Sequence, residues 1–198
     1  MSVKIQRYDL VKHGRVLATR PLGREVGRAA SDILADSDGL LLSFYKVDVA
    51  SPGFLSEVVN ALRGTLMSTD DRWLLLTGMN EDVRESVELV LQRERMALGE
   101  LEHDQIELLG GSSQLHETLR EAQKMGTFTA PDLAERLNLK LPALHQRLSQ
   151  LLEAGVLSRE DDPTATRGKR GRYTAPNPRD VDDKDRQDTG EINAVVVA

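Results

Sequence analysis

A chain of 198 residues that is 39% apolar holds enough material for two small cores. The absence of cysteine excludes a disulfide scaffold, a thiol nucleophile and a cysteine zinc site, and fits a reducing cytoplasm. No stretch approaches the roughly 18 apolar residues of a membrane span, and Met1 to Arg7 lacks the apolar core of a signal peptide, so the sequence predicts a cytoplasmic protein without a membrane partner.

The net charge of −6 is unevenly placed. Residues 1–111 hold 13 Lys/Arg against 18 Asp/Glu, residues 112–178 hold 10 against 8, and residues 179–198 hold 3 against 6. Only the middle segment is positive, and phosphate neutralisation depends on such local balance.

Val3 to Leu10 and Arg15 to Thr19 read as strands of a hairpin, with Lys12-His13-Gly14 as the turn. His13 is an exposed turn residue there, since a lone histidine makes no metal site. Pro21 to Glu25 opens a helix running to Leu34, with Val26, Ala29, Ala30, Ile33 and Leu34 on one face. Leu40 to Phe44 is a continuous apolar run, with Tyr45 and Val47 beyond, and predicts a strand covered on both faces. Ser51 then reads as a helix N-cap, with Pro52 at the first helical position, and the helix reaches Leu66. Trp73 to Leu76 repeats the strand pattern and is followed by the turn Thr77 to Asn80 and an amphipathic helix from Glu81 to Ala97. Asp104 to Leu109 is the last strand of this part, stopped by Gly110-Gly111. The order predicts an α/β unit with a mainly parallel sheet and crossover helices.

With Leu40 to Val49 as central strand and Ala50-Ser51-Pro52-Gly53-Phe54-Leu55 as loop and helix start, residues 1–111 resemble the STAS family. That family comprises the domain of sulfate transporters and anti-sigma-factor antagonists, and the likeness is greatest to its uncharacterised bacterial subgroup. The resemblance implies a regulatory module whose loop serine, matching Ser51, is phosphorylated by a partner kinase. Phosphate there would alter the helix cap and any surface docked on it. The chain departs from the family's Asp-Ser-Ser-Gly loop: Ala50 replaces the aspartate and Pro52 the second serine. Ser51 is thus either a structural cap or a regulatory site.

Little in this part suggests catalysis. The Thr77 to Asn80 turn lacks both phosphate-loop and dinucleotide fingerprints. The acids between Glu81 and Asp104 lie near Arg84, Arg93 and Arg95, where helical ion pairs account for them. Neither a nucleophile elbow nor metal-ligand spacing occurs, and nothing is placed to activate Ser51. The sequence predicts a non-enzyme without cofactor.

Ser112 to Met125 reads as a helix shared between this unit and the next. Thr127 to Thr129 is strand-like, Pro131 to Leu137 a short helix capped by Thr129 and Asp132, Asn138 to Lys140 a turn, and Leu141 to Ala154 a longer helix. Val156 to Arg159 and Arg172 to Ala175 then flank the cationic loop Arg167-Gly168-Lys169-Arg170-Gly171. This order, and the ending Leu151 to Leu157 of the longer helix, resemble the bacterial winged helix-turn-helix domain, over residues 112–178. Leu141, Leu144, Leu148, Leu151 and Leu152 are expected in the core. The opposite face holds Lys140, Ala143, His145, Gln146, Arg147, Ser149 and Gln150, with no acid between Lys140 and Gln150. Such side chains reach base edges and phosphates, and Gln146 is the foremost candidate for a base. Arg167, Lys169, Arg170 and Arg172 suit a wing tip lying along the DNA backbone or in the minor groove.

Residues 179–198 read as a disordered acidic tail that ends in the apolar Ala194 to Ala198. The expectation is a transcriptional regulator that binds double-stranded DNA, with a partner or ligand sensed by residues 1–111 and with homodimerisation open. The alternative is a non-enzymatic adaptor that docks a kinase or defence-system subunit.

Overall fold

A computed structural model describes residues 5–68, 71–161 and 171–177. Its centre is a five-stranded sheet built from β1 (Ile5–Asp9), β3 (Gly39–Ser43), β5 (Trp73–Thr77), β6 (Ala97–Glu102) and β7 (Gln105–Gly110), in the order β1-β3-β5-β6-β7. The first four strands are parallel, and β7 turns back antiparallel to β6. Helices α1 (Arg20–Ala35), α2 (Pro52–Leu66) and α3 (Glu81–Glu94) cover one face. The expected α/β architecture with a mostly parallel sheet is therefore present.

Alternation along the strands explains the layering, because successive side chains of a strand point to opposite faces. Leu40 and Leu42 of β3 and Leu74 and Leu76 of β5 pack under α1 and α2, whereas Leu41 and Leu75 point to the other face. That second face is covered by the rest of the chain: α4 (Ser113–Met125), β8 (Thr127–Thr129), α5 (Ala130–Arg136), α6 (Leu141–Glu153), β9 (Ser158–Asp161) and β10 (Gly171–Thr174). β10 lies between β8 and β9 in a small antiparallel sheet, and Phe128 stacks on Tyr173 with ring centres 5.7 Å apart.

Several expectations are corrected. The hairpin between Val3–Leu10 and Arg15–Thr19 does not form. β1 pairs parallel with β3, the short β2 (Val16–Leu17) pairs parallel with β4 (Val49–Ala50), and Leu10–His13 is a 3-10 turn between them. The turn glycine signalled a reversal, but burying Tyr8, Leu10 and Leu17 beneath the helices decides the pairing. The strand expected over Leu40 to Val49 ends at Ser43, and Lys46 turns the chain with φ 64°.

The helix from Glu81 stops at Glu94, not Ala97, because Arg95 takes a left-handed conformation (φ 55°). Ala97–Glu102, unrecognised as a strand, becomes β6. Its Ala, Leu and Glu favour a helix, yet the position between β5 and β7 overrides that preference. Leu141, expected in the core, is 42% exposed, and Leu152 is only partly covered.

Candidate nucleic-acid interface

The turn between α5 and α6 depends on Asn138, which takes a positive φ of 53°, and Pro142 then sits in the first turn of α6. The start of α5 is fixed by Asp132, whose carboxylate accepts from the Thr129 backbone N–H at 3.1 Å and from its hydroxyl at 2.6 Å. Those two bonds hold the Asp132 carboxyl below its ordinary range. Leu144, Leu148 and Leu151 bury one side of α6.

Lys140, Ala143, His145, Gln146, Ser149 and Gln150 are all exposed, so the acid-free face read from the sequence lies on the surface. Arg147 stands apart from them. Its guanidinium donates to the Thr118 hydroxyl at 3.2 Å and to the Gln114 side chain at 3.3 Å, bracing α6 against α4. The spacing that put Arg147 beside Gln146 carried no sign of these two partners on another helix.

The exposed face is not uniformly open. Gln146, Ser149, Gln150 and Glu153 border a cleft of about 700 Å3 whose other wall is Gln92 and Arg95 at the end of α3. Leu91, Met96 and Leu115 form its apolar floor. The amino-terminal half of α6 is thus the freer half, and Glu153 brings an acid beside the other. Gln92 and Arg95 were absent from the expected site because only the tertiary packing brings α3 to α6.

Glu121 accepts from Lys124 at 2.6 Å and from Arg136, and these bonds hold its carboxyl below the ordinary range. Arg172 is exposed on β10, opposite Thr129 of β8 and Glu160 of β9. Arg167, Lys169 and Arg170 lie outside the described residues, as does the acidic segment 179–198.

Ser51 caps α2. Its hydroxyl accepts from the Phe54 N–H at 3.2 Å and donates to the Ala18 carbonyl at 2.7 Å, joining α2 to the β2 segment. Arg20 and Arg24 flank this helix start, and both pair with Glu57, at 3.0 and 3.4 Å. Ser51 is partly exposed, with its hydroxyl engaged in both directions.

Among the described residues, no cluster of three His, Cys, Asp or Glu side chains is placed to hold a metal ion. Among them also, no helix is long and apolar enough to cross a membrane. No family model, no curated protein and no solved structure matches the chain.

Proposed function

We propose that this chain is a cytoplasmic DNA-binding regulator, a STAS-like module joined to a winged helix-turn-helix. The observation that supports it most is the exposed, acid-free face Lys140 to Gln150 on α6, in a chain whose sequence between β9 and β10 includes Arg167-Gly168-Lys169-Arg170. On this reading Gln146 contacts a base edge in the major groove. Lys140, His145 and Ser149 seat the helix on phosphates, Ala143 permits close approach, and the wing cations with Arg172 follow the backbone. Arg147 is assigned a positioning role through α4. Ser51 is a regulatory site only if a partner can break its bond to Ala18; a phosphate there would remove that donor and place its charge near Arg20.

The test is genome-wide immunoprecipitation followed by titration of the recovered DNA. Gln146→Ala is expected to weaken specific binding by about ten- to a hundredfold. Arg170→Ala with Arg172→Ala is expected to weaken binding to all sequences and to flatten the salt dependence. Arg147→Ala is expected to lower thermal stability. A second reading, the protein-interaction adaptor, draws on the exposed Leu141 and on the engagement of Arg147 within the protein. Specific DNA binding that survives Gln146→Ala, or no recovered DNA at all, would decide for the adaptor.

A further inference from the structure

β7 is an edge strand, and its free side shows how it is guarded. Glu102 and Gln105 close the two-residue turn between β6 and β7, so they form a hydrogen-bonded pair, as do Glu100 with Glu107 and Leu98 with Leu109. The backbone groups of Ile106, Leu108 and Gly110 therefore point away from the sheet. Two of the three outward carbonyls are taken by α4: Gln123 donates to Ile106 O at 2.8 Å, and His116 Nε2 lies 2.8 Å from Gly110 O. Between them, the N–H and C=O of Leu108 face a cleft of about 620 Å3.

Among the described residues no strand pairs with this side of β7, and such an edge is a template for one more strand. The cleft has apolar walls in Ile106, Leu108, Leu119 and Pro176, and Arg120 stands at its border. Asn177, the last described residue, also lines it, so the chain leaves the described structure inside this cleft. The 21 residues that follow hold six acids against three bases and then Ile192-Asn193-Ala194-Val195-Val196-Val197-Ala198. Those seven include three consecutive valines, the residue type most at home in a strand. Residues 178–191 can span roughly 46 Å when extended, against roughly 20 Å for the six residues of β7.

We infer that Ile192–Ala198 docks in this cleft and pairs in extended form with the N–H and C=O of Leu108, between the two carbonyls that α4 holds, with the acidic stretch before it passing Arg120. Because the segment belongs to the same chain, its effective concentration at the cleft is on the order of millimolar, and a weak strand contact suffices. The occupant thereby covers the one outward backbone pair on β7 that α4 leaves open.

Amide hydrogen exchange on the full chain tests this, with Val195→Asp/Val196→Asp/Val197→Asp as the comparison. The Leu108 amide is expected to exchange at least about tenfold more slowly in the parent than in the variant. The Leu109 amide, bonded to Leu98, should be unchanged and serves as the internal reference. Equal exchange of Leu108 in the two proteins would overturn the proposal. Protection that rises with protein concentration would also overturn it, because a second copy would then be the occupant.

Discussion

Glu100 shows how a single side chain conflicts with its surroundings. It is 4% exposed on β6, and Arg84 of α3 reaches it at 2.7 Å while also meeting Glu88 and Glu102. Burial raises the Glu100 carboxyl above its ordinary range. Arg84 opposes that rise, and Glu102, Glu107 and Glu88 add to it. A folded-state value above the unfolded one means that the folded protein holds the proton more tightly. The group's stabilising contribution is present at low pH and is lost as pH rises through the folded value. Glu100→Gln should therefore be at least as stable as the parent at pH 8 and lose that advantage as pH falls toward 4, measured by denaturant unfolding. Arg84→Ala, which leaves a buried carboxylate unpaired, should cost about 2 kcal/mol at neutral pH, and Glu100→Gln should restore most of it. A parent and Glu100→Gln difference that does not vary with pH would refute this account.

The connection after α6 is held by its backbone. Gly155 has φ +68°, its carbonyl accepts from Leu74 N–H at 3.0 Å, and a Cβ there would lie 2.8 Å from the Leu74 backbone nitrogen. Gly155→Ala should thus cost about 3 kcal/mol from backbone strain and close contact together; an unchanged melting temperature would show that packing at β5 is unimportant. In the sequence Gly155 merely follows the helix expected to end at Ala154, for its partner Leu74 is 81 residues away in the chain. Elements with a strong local period were legible: α2 from the Ser51-Pro52 start and its Leu and Val stripe, β3 and β5 from their leucine runs, α6 from Leu144, Leu148 and Leu151. β6 was not, since Ala-Leu-Gly-Glu-Leu-Glu has helical preferences that only its neighbours override. The same limit applies to the candidate interface. The exposure of Gln146 and Ser149 followed from helical periodicity, whereas the engagement of Arg147 with Thr118 and the cleft shared with Gln92 and Arg95 arise from helices meeting across the fold.

At the scale of the molecule, the boundary read between residues 111 and 112 runs through continuous apolar packing. Leu41, Leu75, Ala97, Ile106 and Leu108 of the sheet share one cluster with Leu115 and Leu119 of α4, Leu133 of α5, and Leu144 and Leu148 of α6. Removing the carboxy-terminal elements would expose that face of the sheet, so the two parts have no separate cores on this side. Such packing couples their unfolding, unlike units joined by a small polar interface. The single tryptophan, Trp73, is buried in β5 beside Leu74 and serves as a probe of the sheet alone. Leu133→Ala, at a fully buried position of α5, should remove about 3 kcal/mol. In a chain of this length that corresponds to a fall of about 6 to 12 °C in melting temperature. If the cluster acts as one, Trp73 fluorescence and far-ultraviolet circular dichroism should shift together by that amount, although Trp73 lies outside the altered element. A Trp73 transition that stays at the parent temperature while part of the helical signal melts early would mean that the carboxy-terminal elements unfold on their own.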